Sequence, residues 1–261
     1  MQTYSDSPKM FVSGKALALW TVILLGAEAL AKLADIGVSA AQLTLASNYP
    51  ETAATALGPE NADVSEMPGG NYQVIVSLLD GTVSFFGLIV LLATVVVFLF
   101  WQHRAYKNLP ALGVPRPEFS SRWVVGSWFV PFLNLFRPYE IMKYIRDKSD
   151  PETVKFGFGD FETRDNFTLK AWWGFWIASI IVARFSNRMY GRAETLDGHV
   201  TAGLVGIFSS GLTIVAACLA IAVVRDITSR QEERHKRLMA ASQPQFWSQP
   251  HSASGAAPNV T

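Results

Sequence analysis

The sequence predicts an all-α membrane protein of four transmembrane helices plus a broken re-entrant or interfacial helical element at about 122–148. Three observations predict it. Of 261 residues, 50% are hydrophobic and only 16% charged, against roughly a quarter charged in an ordinary soluble domain; mean hydropathy is +0.22. Charge-free stretches reach the roughly 20 residues that a hydrocarbon core about 30 Å thick demands. The basic residues, finally, are divided unevenly along the chain.

The spans are expected at about 16–45, 74–102, 169–187 and 202–226. Two are plain: Gly81–His103 is 23 residues and Gly198–Val224 is 27, neither containing a charge. The other two are interrupted, the first by Glu28, Lys32 and Asp35, the third by Arg184. Between Arg122 and Arg137 lie only 14 uncharged residues, WVVGSWFVPFLNLF. That is too short to cross, and Pro131 disfavours a straight helix. Broken backbone at membrane depth needs covering protein, hence the re-entrant or interfacial reading. Pro138 suits a first helical position. Ile141, Met142 and Ile145 then oppose Glu140, Lys143, Asp147 and Lys148, as in a helix lying in the membrane interface.

Orientation follows the bias of Lys and Arg toward the cytoplasm. If 122–148 does not cross, 18 of the 22 bases fall on the side of both termini, and only Arg188 and Arg192 oppose them. This places a tail at 1–15, a membrane domain at 16–228 with its cytoplasmic loop at 103–168, and a mostly disordered tail at 229–261. The expected location is a bacterial plasma membrane with both termini cytoplasmic. Trp20, Trp101, Trp172 and Trp173 fall at one level, where indole rings anchor at headgroups. The outer loop 46–73 holds four acids and no base, and its Pro-Gly-Gly punctuation reads as irregular. The charges around Glu28 favour a retained first helix over a cleaved signal.

Ionisable groups inside spans are expensive and face protein or water. Glu28, Lys32 and Asp35 share one helix face by spacing. Counting about 1.5 Å per residue, they fall near the depths of Asp80 and Arg184. This predicts one polar layer, with Arg184 pairing Asp80 or Glu28. The layer is either an interhelical salt-bridge network, an ion or polar-solute path, or a network that a partner subunit completes. Ala202, Gly206 and Ser210 recur every fourth residue, a pattern for close helix packing.

A net charge of +1 argues against nucleic acid as a partner. Cys218 is the single cysteine, so no intrachain disulfide forms, and with four histidines it makes no zinc module. Ser209 and Ser210 lack a nearby histidine, and the glycines of FGFGDF, Gly157 and Gly159, lack the strand and helix of a phosphate loop. The run RQEERHKR reads as a solvated helix extension. No catalytic set and no cofactor are expected. Expected partners are the lipid bilayer and, as an open alternative, another membrane subunit or a second copy.

The most distinctive stretch runs from Trp101 to Trp176: WQHRAYKNLPALG, then WVVGSWFVPFLNLFRPY, then WWGFW. It resembles a bacterial integral-membrane family catalogued only as a domain of unknown function. The resemblance implies a multi-span bundle and supplies no activity. Its motif residues Arg104, Asn108, Pro131, Asn134, Arg137 and Pro138 suit the cytoplasmic mouth. There Asn134 could satisfy the broken backbone and Arg137 could hold a carboxylate or a lipid phosphate. The first expectation for function is a structural, regulatory or partner-binding membrane protein; a small transporter, channel or lipid-handling protein is the alternative.

Overall fold

A computed structural model of the chain describes residues 10–57, 64–114, 117–152 and 166–242. Regular structure among them is entirely helical: α1 (Lys15–Asn48), α2 (Pro50–Ala56), α3 (Gly70–Lys107), α4 (Ser121–Gly126), α5 (Arg137–Lys148), α6 (Phe167–Tyr190) and α7 (Leu196–Ser242), with short 3-10 turns at 110–112 and 133–135. Three helices, α1, α3 and α7, are long and apolar enough to cross a membrane. The 24-residue α6 reaches roughly 36 Å, enough in length, but its tryptophan-rich start and Arg184 dilute its hydropathy.

Local chemistry sets the boundaries. Pro50 opens α2 at its first positions and stops α1 before it, because the residue ahead of proline is pushed out of helical geometry. Arg104 and Lys107 close α3, where the helix dipole favours cations. Pro138 stands at the start of α5, with Glu140 in its first turn and Arg146 and Lys148 in its last. Gly69 adopts φ 78°. A Cβ on Gly70 would lie 1.6 Å from the Val64 carbonyl oxygen, so the turn into α3 needs both glycines. The outer loop expected to be irregular therefore holds a helix, α2, whose Thr52 hydroxyl donates to the Pro68 carbonyl.

α6 and α1 pack along α7, the longest element at 47 residues, and α3 packs on α1. That length is roughly 70 Å, more than twice the hydrocarbon thickness. The buried core lies at the end where α3 stops and α6 starts. It is built from Trp101, Tyr106, Leu109, Ile141, Met142, Ile145, Trp172 and Val224 among others.

Four sequence expectations change here. The apolar face of α5 is fully buried in this protein core and does not lie on a lipid interface, because α3 and α7 supply enough apolar surface to cover it. Trp101 and Trp172 are 1% and 4% exposed, so they are core residues and not headgroup anchors. RQEERHKR is helical as expected but solvated on one side only, since Gln231 and Arg234 are buried while Lys236 is exposed. Residues 229–242 consequently belong to the folded body and not to a tail. The disordered tail expected beyond 242, and the glycines Gly157 and Gly159, lie outside the described residues.

Candidate functional site

The two ends of the bundle are built differently. At the core end, a stripe down α7 stays buried from Ala220 through Val223, Val224 and Ile227 to Gln231 and Arg234, the i, i+3, i+4 recurrence of one helix face. Where that stripe turns polar, every group meets a partner. Gln231 donates to the Ala105 carbonyl at 2.8 Å and to the Ser149 hydroxyl at 3.1 Å. Arg234 donates to the carbonyls of Leu112 at 2.7 Å and Asp150 at 2.6 Å. Asp226 is gripped by Arg146 at 2.8 Å and Arg230 at 2.7 Å, and Arg230 reaches on to Asp150 at 3.0 Å. Asn108 accepts from the Val12 amide and donates to the Val12 carbonyl and to Gln231, tying the chain ahead of α1 to the end of α7. Arg146 also donates to Asn166, the residue preceding α6. Burial pushes the Asp147 carboxyl above its ordinary range, with Lys143 and a hydrogen bond to Asn166 pulling the other way.

The broken element hangs on the tryptophans. Trp173 donates to the Leu135 carbonyl at 3.1 Å and Trp128 to the Gln102 side chain at 2.8 Å. The rings of Trp128, Trp173 and Trp176 meet edge-on or tilted at 4.7–5.9 Å, a favoured aromatic geometry. The indole of Trp173 thus answers an exposed carbonyl of the break, the task expected of Asn134. The Asn134 side chain makes no hydrogen bond among the described residues, and only its backbone amide bonds, to Val130. Phe132 sits at φ 65°, unusual for a bulky residue, and Phe129, Phe132 and Phe136 are exposed. Pro131 is exposed and Pro138 buried. Arg137 pairs with Glu140 at 2.8 Å and lies over the Phe119 ring; the Arg104 side chain makes no hydrogen bond or ion pair among the described residues, its carbonyl accepting from the Asn108 amide.

At the other end the helices enclose a polar cavity of about 660 Å³. α1 contributes Lys32, Asp35, Ser39 and Gln42; α3 contributes Gln73, Ser77, Asp80 and Ser84. From α6 come Ser186, Asn187 and Tyr190, and from α7 His199, Ser209 and Ser210. Ala53, Ala56 and Leu57, from α2 and its end, line the lip. Small residues make the room. A Cβ on Gly203 would touch the Tyr190 hydroxyl at 3.0 Å, and one on Gly206 the Ser186 hydroxyl at 3.3 Å. The Ala202–Gly206–Ser210 pattern therefore packs α7 within the molecule, against α6 and α1.

Of the five charges expected in one layer, the structure brings three to this cavity. Lys32 lies 3.9 Å from Asp35, and the Ser210 hydroxyl donates to Asp35 at 2.7 Å. Asp80 lines the same space. Glu28 does not: it is buried at 7% exposure, outside the cavity lining, with its Oε2 lacking a hydrogen-bond partner. Register explains why. Asp35 bonds Ser210 and Trp101 bonds Thr228, and following each helix from those pairs sets Glu28 and Asp80 roughly 15 Å apart in depth. Arg184 is exposed on α6 and pairs with neither Asp80 nor Glu28. Sequence reasoning missed Gln42, Gln73, Ser77, Asn187, Tyr190 and His199 because each stands near a helix end, where polar residues are ordinary.

Residues 75–229, more than half of the chain, match the family described as a domain of unknown function, DUF4328. The chain belongs to that family. No curated protein and no solved structure matches it. The DUF4328 stretch takes in Asp80, the tryptophan cluster and the pair of Asp226 with Arg146, but ends one residue short of Arg230. It leaves out α1, which carries Lys32 and Asp35, and the terminal stripe of Gln231 and Arg234.

Proposed function

We propose that this DUF4328 protein is a four-span protein of a bacterial plasma membrane that binds a small polar solute and has a regulatory rather than a catalytic role. The observation that carries the reading is the polar cavity of about 660 Å³ set over a closely packed core. Small-molecule sites have volumes of roughly 300–1,000 Å³ and few convergent polar groups. A hollow end above a solid one favours binding over conduction. The fourth span is α6, which lies along α7 and is as long as a crossing requires. Both termini are cytoplasmic in this reading, because the basic residues concentrate at the core end. A membrane or self-partner would meet the exposed apolar faces of α1 and α3.

Binding is tested on the full chain in detergent micelles by thermal melting against a panel of polar amines, carboxylates, sugars and simple salts. A saturable rise in Tm with at least one class supports the reading. No shift with any class at millimolar concentration overturns it in favour of a purely structural protein. Single cysteines at Ser47 and Ser242, placed in a Cys218→Ser background and probed with an impermeant maleimide, test orientation. Labelling of the Ser47 position alone in intact cells is expected.

A further inference from the structure

We propose that the cavity takes a small organic cation, an aliphatic amine whose ammonium is held by Asp80. This rests on the binding reading above and narrows it to one ligand class. Three charged side chains line the cavity: Lys32, Asp35 and Asp80. Two of them are spoken for. Lys32 and Asp35 form an ion pair, and the Ser210 hydroxyl adds a bond to Asp35. Asp80 makes no hydrogen bond or ion pair among the described residues, and it shares the cavity with a second carboxylate. The fixed charge left over is one negative charge.

The remaining polar lining consists of hydroxyls, amides, an imidazole and a phenol, with no further lysine or arginine. A carboxylate partly removed from water in a membrane bundle is costly until a cation meets it. Charge complementarity therefore selects a monocation. A coordinated metal is a poorer match, because no group of three metal-ligating side chains comes together among the described residues. An ammonium fits better. Gln42, Gln73, Ser77 and Asn187 can accept its N–H bonds, and Tyr190 offers a ring face of the kind that attracts cations. Ala53, Ala56 and Leu57 at the lip give a short aliphatic body an apolar contact.

The experiment uses full-length protein in micelles, with empty micelles as background, and three probes of one shape. Butylamine carries the cation, butan-1-ol is neutral and butyrate is anionic. Saturable binding of butylamine by equilibrium dialysis is expected, with butan-1-ol and butyrate at background. Asp80→Asn should weaken butylamine binding by about tenfold or more, the loss of one charge-assisted bond. Glu28→Gln, outside the cavity, should leave it unchanged. Equal or tighter binding of butan-1-ol or butyrate, or full butylamine affinity in Asp80→Asn, overturns the amine while the cavity reading stands. Silence of all three probes also overturns it, and silence of the wider panel too removes the binding reading with it. If Asp80→Asn fails to fold, the ranking of the three probes on the unaltered protein decides by itself.

Discussion

Around Trp101, buried polar side chains are largely answered by other parts of the chain, the Ser127 hydroxyl and the Gln102 Nε2 excepted among the described residues. Gln231, Arg234 and Asn108 each reach two or more partners on different segments, and Ile141, Met142 and Ile145 fill the space between. Around Asp80 the same helices line a cavity. Ser186 and Ser209 donate to carbonyls of the neighbouring helix and Ser210 to Asp35, while Gln42 and Gln73 line the cavity. One helix, α7, serves both ends, its stripe passing from Ala202 and Ser210 to Gln231 and Arg234. The difference teaches that stability and binding capacity are segregated along the bundle axis. Substitutions should therefore be costly at one end and tolerated at the other.

The largest expected effect is at Arg234. Arg234→Ala removes the charge-assisted bonds to the carbonyls of Leu112 and Asp150, a loss of about 3 kcal/mol. It should appear as a lower Tm in micelles and as new trypsin cuts between 225 and 242. Next is Gly70→Ala, which drives a Cβ into the Val64 carbonyl and should cost about 2 kcal/mol. Its damage should be confined to residues 49–70 by hydrogen exchange; spread into the Trp101 core would break the separation of the two ends.

Trp101→Phe keeps the ring in the core and deletes the 3.0 Å bond from Nε1 to Thr228, for about 1 kcal/mol. Ser77→Ala, in the cavity wall, should change stability by less than about 0.5 kcal/mol, read from the same melts. A loss as large as that of Trp101→Phe would show that the hollow end also bears stability.

The smallest effect is one of pH. Because burial raises the Asp147 carboxyl, its proton is held more tightly folded than unfolded. The folded state therefore loses stability as pH rises through that raised value, and the penalty is absent in acid. Asp147→Asn should be as stable as the parent or more so at neutral pH, with the difference vanishing in acid. If Asp147→Asn proves weaker than the parent at neutral pH, the bond to Asn166 outweighs desolvation.

The helices were legible because their signals are local. Charge-free length gives α3 and α7, Pro138 places a helix start, and the short interrupted run at 123–136 announces a break; the helix opened by Pro50 was not read, because the surrounding loop is polar and punctuated by Pro-Gly-Gly. Lys32, Asp35 and Asp80 were also legible as a group, since a charge in a span is conspicuous by itself. Arg184 was read with them, yet it faces outward, because depth along a helix says nothing about the side on which a residue stands.

By itself, then, the sequence determined the all-helical class, the apolar helices, the break and the family motifs, all of which depend on neighbours within a few residues. Tertiary structure alone decided that α5 packs inside the protein, that the buried stripe of α7 extends to Arg234, and that Glu28 is separated from Asp80. It also decided that four polar helix ends close around a cavity. Those outcomes depend on register between helices far apart in the chain, fixed by bonds such as Asp35 to Ser210 and Trp101 to Thr228, which no local pattern encodes.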